Sequence, residues 1–167
     1  MERLEDIFGY FAFYDDYYHK EDQWFGRVIV DEENNFEGIA TDFNENEKYY
    51  VFGSYLNDKI SLYRFTLDDT TRFAHKYTCG KAGKKYYGTT FVTDSFIEIP
   101  IGDCKITLMN ADKTREVSEV EIDKVKEHIE EYKNSLNNKQ IALYESLHNG
   151  EHEQKVERSF QKIFLTK

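Results

Sequence analysis

The chain has 167 residues, with 32 acidic and 22 basic side chains and a formal charge of −10, a balance that argues against general nucleic-acid binding and favours solubility. A chain of this length builds one domain whose core needs neither disulfides nor metal to form. No run of about 18 apolar residues occurs, which excludes a membrane-spanning helix.

The N-terminal run Met1-Glu2-Arg3-Leu4-Glu5-Asp6 places acids where a secretion signal would need a basic region, so the expected location is the cytoplasm. In that compartment Cys79 and Cys104 default to free thiols. Charge is uneven along the sequence: residues 1–70 hold 17 acidic and 6 basic side chains, whereas residues 71–113 hold 4 acidic and 7 basic.

Ile7 to Tyr14 reads as a first strand, ending at the polar run Asp15 to Gln23. Asp15, Asp16, Glu21, Asp22 and His19 share that run, but the spacing lacks the glycine and the glutamate of an EF-hand loop, so a solvated loop is expected and no metal. Trp24 to Val30 and Phe36 to Phe43 form a hairpin around Asp31-Glu32-Glu33-Asn34-Asn35.

The next hairpin carries the most information. Lys48 to Tyr55 and Ile60 to Thr66 flank Asn57-Asp58. A two-residue turn there sets Phe52 opposite Tyr63 and Tyr50 opposite Phe65 on one face, and leaves Val51, Tyr55, Ile60 and Leu62 on the other. A strand with one wet face alternates apolar with polar, and these two are apolar on both faces. Cover is therefore expected on both sides. The four rings are assigned to a barrel cavity, and the Val51/Leu62 face to the underside of a C-terminal helix.

Phe73 to Thr78 and Tyr86 to Thr93 follow around a glycine-rich turn, and Ile97 to Ile101 and Lys105 to Asn110 close the β region, bent at Gly102-Asp103. Pro100 removes a ladder donor, so it marks an edge strand or a bulge. The fold class is mainly β with C-terminal helices: an eight- to nine-stranded antiparallel up-and-down barrel or sandwich over residues 1–113. Residues 114–167 form a helical segment packed on it within the same domain. Ser118-Glu119-Val120-Glu121 matches a capping box, and Ile122, Val125, Ile129, Tyr132 and Leu136 form one apolar stripe. Asn137-Asn138 breaks the helix. Either Ile141, Tyr144 and Leu147 or Gln140, Leu143 and Leu147 continue it to Asn149-Gly150, and Val156, Phe160, Ile163 and Phe164 repeat the helical spacing. The chain is expected as a monomer, with a weak homodimer through the heptad-like stripe as the alternative.

Several segments carry a resemblance: Trp24-Phe25-Gly26, Phe36 to Asp42, Tyr50 to Ser54 before Ile60 to Tyr63, and Tyr86-Tyr87-Gly88. Over roughly residues 7–110 the chain resembles the calycin type of barrel, which includes lipocalins and avidin-like proteins. The resemblance implies a closed barrel with a ligand cavity at one mouth. The chain departs from the lipocalin Gly-x-Trp signature, since Asp22 stands two positions before Trp24.

Three groups of residues could carry chemistry. Arg72, Lys76, Lys81, Lys84 and Lys85, interleaved with His75 and aromatic residues, suit an anion, although Thr78 and Lys85 stand where a phosphate-binding P-loop needs glycine and Ser or Thr. The bland alternative is a solvated hairpin tip. Glu98, in an apolar strand, is expected to point into the barrel, where it could act as a general acid or base. Arg64 shares the Val51/Leu62 face, and either charge could meet an opposite charge on a ligand. His148 and His152 have zinc-pair spacing but are separated by a helix-breaking Asn149-Gly150.

The function expected from these features is that of a non-enzymatic cytosolic binding protein with no cofactor. It would act through an acidic surface at Asp31, Glu32 and Glu33 on a basic protein partner, as a small phage- or mobile-element-type inhibitor would. One alternative is a carrier holding a small apolar or aromatic ligand among Tyr50, Phe52, Tyr63 and Phe65. A second is a small barrel enzyme, an isomerase or hydrolase, using Glu98.

Overall fold

The computed structural model describes residues 2–13, 21–110 and 119–148. Eight antiparallel strands run up and down in chain order and close on themselves. They are β1 (Arg3–Phe13), β2 (Glu21–Val30), β3 (Asn35–Asp42), β4 (Lys48–Leu56), β5 (Lys59–Thr66), β6 (Ala74–Ala82), β7 (Lys85–Thr93) and β8 (Glu98–Asn110). Ile7 of β1 pairs with Gly26 of β2 on one side and Leu108 of β8 on the other. The fold is thus a barrel rather than a sandwich, and closure leaves no sheet edge exposed.

The informative hairpin forms as its turn chemistry requires. Asn57 and Asp58 both take positive φ, 53° and 62°, the geometry of a type I′ turn, whose twist matches that of the flanking strands. Its register places Phe52 opposite Tyr63 and Tyr50 opposite Phe65. Strand β1 starts at Arg3 rather than Ile7. The two strands expected around Gly102 are one, β8, so the count is eight. The chain does not break at Gly102-Asp103 because a β-bulge absorbs the bend: Thr90 pairs with Gly102, Phe91 with Pro100, and Ile101 is skipped. Pro100 therefore sits where the ladder is already irregular, the bulge reading of the two.

That bulge also turns Glu98 around. Cys104 and Ile106 are buried in the interior cluster, and simple alternation back along β8 would carry Glu98 inward with them. The skipped residue reverses the phase. Glu98 instead lies on the outer surface, 3.1 Å from Lys76 Nζ. The expectation of an interior carboxylate is corrected.

The face assignment of β4 and β5 is corrected as well. Val51, Ile60 and Leu62 point inward and join Ile7, Phe11, Trp24, Val28 and Tyr77 in the barrel interior. Tyr50, Phe52, Tyr63 and Phe65 point outward, where Tyr50, Phe52 and Phe65 form a second core with Leu4, Ile29, Val125, Ile129, Leu136 and Leu143. The helices therefore cover the aromatic face, not the Val51/Leu62 face. An eight-stranded barrel is only about wide enough for its own side chains, and aliphatic groups fill it at this hairpin while the rings find room under the helices. The largest interior ring needs a gap in the adjacent strand, at Gly9 of β1, which pairs with Trp24. A Cβ on Gly9 would lie 2.0 Å from the Trp24 indole.

Helix α1 (Glu119–Asn134) packs on β2, β3 and β4, and α2 (Asn138–His148) follows it, sharing the same outer core and setting the Tyr144 ring 5.4 Å from Lys133 Nζ of α1. The stripe holds: Val125, Ile129 and Leu136 are buried, with Ile122 and Tyr132 packed alongside. On α2 the face with Gln140 and Leu143 is the buried one, and Ile141 is exposed. The corner at residue 137 is a cap as well as a break. Gln140 N donates to Asn137 Oδ1, and Asn137 N to Gln140 Oε1, a reciprocal capping pair. Asn137 Nδ2 also donates to the carbonyls of Asp68 and Thr71, tying the helical corner to the β5–β6 loop. Ser118, Asn149-Gly150 and the Val156/Phe160/Ile163/Phe164 stripe lie outside the described residues.

Replacing Gly9 with Ala should lower the melting temperature, because the new methyl meets a rigid buried indole rather than the end of a flexible chain. Overpacking of this kind costs about 1–3 kcal/mol, or roughly 2–4 °C per kcal/mol at this chain length. Gly80→Ala, where a Cβ would meet nothing within 4 Å, should leave it unchanged. Thermal unfolding followed by circular dichroism compares the two; equal melting temperatures would contradict this packing.

Candidate functional site

The helical hairpin and the barrel wall enclose a cleft of about 830 Å³. Its floor comes from Ile29 on β2, Phe52 on β4 and Tyr63 on β5, and its walls from Ile129 on α1 and Tyr144, Leu147 and His148 on α2. Rings dominate. Phe52 stacks on Tyr63 at 5.2 Å and on His148 at 4.8 Å, while Tyr144 meets Phe52 edge-on at 5.1 Å. Two of the four aromatic residues expected to contact a ligand, Phe52 and Tyr63, thus line a cavity. That cavity is outside the barrel, and Tyr50 and Phe65 lie in the core against the same helices.

The margin of the cleft is charged. Glu2, Asp31, Glu37 and Glu130 face Lys126 and Lys133. Lys126 pairs with Glu2 at 2.8 Å and Lys133 with Glu37 at 3.7 Å, and the Tyr50 hydroxyl donates to Glu37 at 2.8 Å. Burial pushes the His148 imidazole below its usual pKa, with Lys133 acting in the same direction. His148 is therefore neutral at pH 7, and carboxylates outnumber cations around the opening. Glu37, Lys126 and Lys133 carry no local sequence signal, because residues so distant in the chain meet only once α1 crosses the sheet.

Asp31 from the acidic group stands at this opening. It also builds its own turn: the amides of Glu33 and Asn35 both donate to Asp31 Oδ1 at 2.9 Å. Glu32 and Glu33 are exposed beside it. The anion candidates are not brought together. Lys81, Lys84 and Lys85 are exposed at the β6–β7 tip, Arg72 lies in the β5–β6 loop at the opposite end of the barrel, and Lys76 is held half-buried against Glu98. His152 and residues 15, 16 and 19 lie outside the described residues. Among the described residues no group of three His, Cys, Asp or Glu could hold a metal.

Inside the barrel, the two thiols come together. Cys79 on β6 and Cys104 on β8 both register with Gly88 of the intervening β7. The missing side chain at Gly88 lets the sulfurs approach to 2.8 Å as unbonded cysteines. The contact raises the pKa of Cys79, which is also buried. At the other end of the interior, Trp24 Nε1 donates to the Tyr77 hydroxyl at 3.2 Å, and Tyr49 donates to Glu47 at 2.7 Å.

The buried phenols should make the fold sensitive to alkali. Burial raises the pKa of Tyr49 and Tyr50 well above 10.0 and pushes Tyr77 up to about 12. Because the folded values exceed the unfolded one, the stability they contribute is complete below pH 10 and is lost as pH rises through the folded values. Absorbance at 295 nm should show part of the tyrosines ionising only together with the loss of ellipticity. Smooth ionisation of all phenols near pH 10 with the fold intact would contradict this burial.

Comparison with protein-family models, with curated proteins and with solved structures finds no match for this chain.

Proposed function

We propose that this chain is a binding protein that takes a basic, apolar-tipped segment of a partner protein into the cleft between the helical hairpin and the barrel. The observation that carries the reading is the meeting of two sequence features at one place. Asp31 from the acidic turn stands at the opening, and Phe52 and Tyr63 from the aromatic hairpin form the floor. An aromatic floor desolvates an apolar side chain, and an excess of carboxylates around it favours a flanking cation and speeds encounter with a basic surface. With Lys126 engaged by Glu2, and Lys133 by both Glu37 and Glu130, the opening offers Asp31 to such a cation.

A second reading, a carrier for a small apolar or aromatic ligand, draws on the same cleft, whose volume falls within the roughly 300–1,000 Å³ of ordinary ligand sites. The eight-stranded up-and-down topology is what a calycin barrel would have. It supports that resemblance, although the cleft used in either reading lies outside the barrel.

The test uses immobilised protein exposed to host lysate at low and high salt, with mass spectrometry of bound proteins and small molecules. Ser61→Trp is the key variant, since Ser61 lines the floor from β5 and an indole there fills the space. A partner retained at low salt, released at high salt and lost with Ser61→Trp fits the proposal. Reversal of the exposed Glu33 to lysine, leaving the turn-forming Asp31 intact, should slow association without shifting the melting temperature. A partner indifferent to Ser61→Trp would reject the cleft, and a co-purifying small molecule lost with Ser61→Trp would favour the carrier.

A further inference from the structure

Arg64 lies on the inner face of β5, in register with Val51 of β4 and His75 of β6, and only 2% of its surface is exposed. Guanidinium groups this deep normally meet a carboxylate, because a buried charge without a counterion is strongly disfavoured. Among the described residues no carboxylate lies within ion-pair distance of Arg64. Its Nη2 reaches His75 Nδ1 at 3.3 Å, and its Nε and Nη1 have no hydrogen-bond partner. A guanidinium can only donate. His75 Nδ1 therefore accepts, which makes His75 neutral, and among the described residues the charge of Asp22 reaches the neighbouring Tyr49 and Tyr77 without forming an ion pair with the guanidinium.

What surrounds the guanidinium is aromatic. Its carbon sits 4.2 Å from the centre of the Tyr49 ring and 5.9 Å from those of Trp24 and Tyr77. Ring faces attract the cation but accept none of its in-plane N–H groups. They also restrict what can satisfy those groups. An acceptor must approach edge-on, in the guanidinium plane, between flanking rings, and a single cation balances a single negative charge. His75 is half-buried toward the barrel end carrying the β5–β6 loop, where its ring contacts Phe11 at 5.6 Å and the exposed Phe73 at 5.5 Å.

We propose that Arg64, with His75 beside it, is the binding site of a small planar monoanion of the carboxylate or nitrate type, held inside the barrel at the end carrying the β5–β6 loop. This site is separate from the outer cleft, and it stands or falls independently of the function proposed for that cleft. The occupant supplies acceptors for Nε and Nη1, the aromatic cage excludes water around it, and His75 closes the site behind it. A tetrahedral dianion brings more charge than one guanidinium balances.

The experiment follows the Arg64 Nε–Hε resonance of the intact protein by heteronuclear NMR, assigned by its absence in Arg64→Lys. Sodium acetate and sodium nitrate are titrated separately against sodium chloride and sodium sulfate at equal ionic strength. One charge-assisted contact supports an affinity of order 1 mM, so acetate and nitrate should each shift the Arg64 signal saturably, half-way at about that concentration. The signal of Arg27, half-exposed and paired with Asp6 at 3.4 Å, should not follow. Thermal unfolding gives an independent reading: acetate should raise the melting temperature of the parent above the chloride control, and Arg64→Met should abolish that difference. An Arg64 signal unmoved by both planar anions, or moved equally by chloride or sulfate, overturns the proposal. So does an acetate-dependent gain in stability that survives in Arg64→Met.

Discussion

The rest of the structure depends on the pairing of β1 with β8, which runs from Glu5↔Asn110 to Phe13↔Gly102. Once that seam forms, every strand has two neighbours, and alternate residues of each strand are committed to an interior that admits no helix. The apolar residues left outside must then be covered by something other than another sheet. They are concentrated on β2 to β5, at Ile29, Tyr50, Phe52 and Phe65, with Leu4 of β1 beside them, and the helical hairpin lies there. Cleft and interior site both follow from this division. One is the space the helices leave above the wall, the other a charge enclosed when the wall closes.

Closure in strict chain order also converts sequence asymmetry into spatial asymmetry. The acidic stretch 1–70 builds β1 to β5 and the more basic stretch 71–113 builds β6 to β8. Strands follow one another around the barrel, so one side of the molecule is acidic and the other is not. The α1 helix crosses the acidic side, and its Lys126 and Lys133 pair with Glu2 and Glu37 there. Each such exposed pair is worth at most about 1 kcal/mol, less than the apolar contacts beneath. Their effect is to orient the helix over those contacts and to leave carboxylates in excess at the opening, Asp31 among them.

How much of this was legible depends on whether the deciding physics was local. The β4–β5 register was, because Asn57-Asp58 adopts its turn almost independently of context and the register follows from it. The α1 stripe was, because a period of 3.6 is written into Ile122, Val125 and Ile129. Inside and outside were not. Period-two alternation separates two faces but does not say which is interior when both are apolar, and here the interior face is the one bearing the charged Arg64. The orientation of Glu98 was hidden for a different reason: a single skipped residue at Ile101 reverses every side chain beyond it, and nothing in Ile97 to Gly102 announces it except Pro100. The cleft was half legible. Its floor was singled out as a ligand surface, but Tyr144, Lys133 and Glu37 belong to it only through a contact between helix and sheet that no local pattern encodes.

Tyr63 and Arg64 are consecutive in β5, yet they belong to different sites. Tyr63 faces outward toward the cleft, and on the neighbouring β6 Lys76, paired with Glu98 of β8, sets its Nζ 5.7 Å from the Tyr63 ring. Arg64 faces the interior. A wall one strand thick, with side chains alternating across it, is what allows two chemically unlike environments to lie back to back. It also means that neither can be altered by a shift in β5 without the other, because a one-residue slip would exchange them, placing a phenol in the interior and a guanidinium against Phe52. The type I′ turn at Asn57-Asp58 is the feature that opposes such a slip. The most legible element of the sequence therefore also keeps the two least legible ones apart.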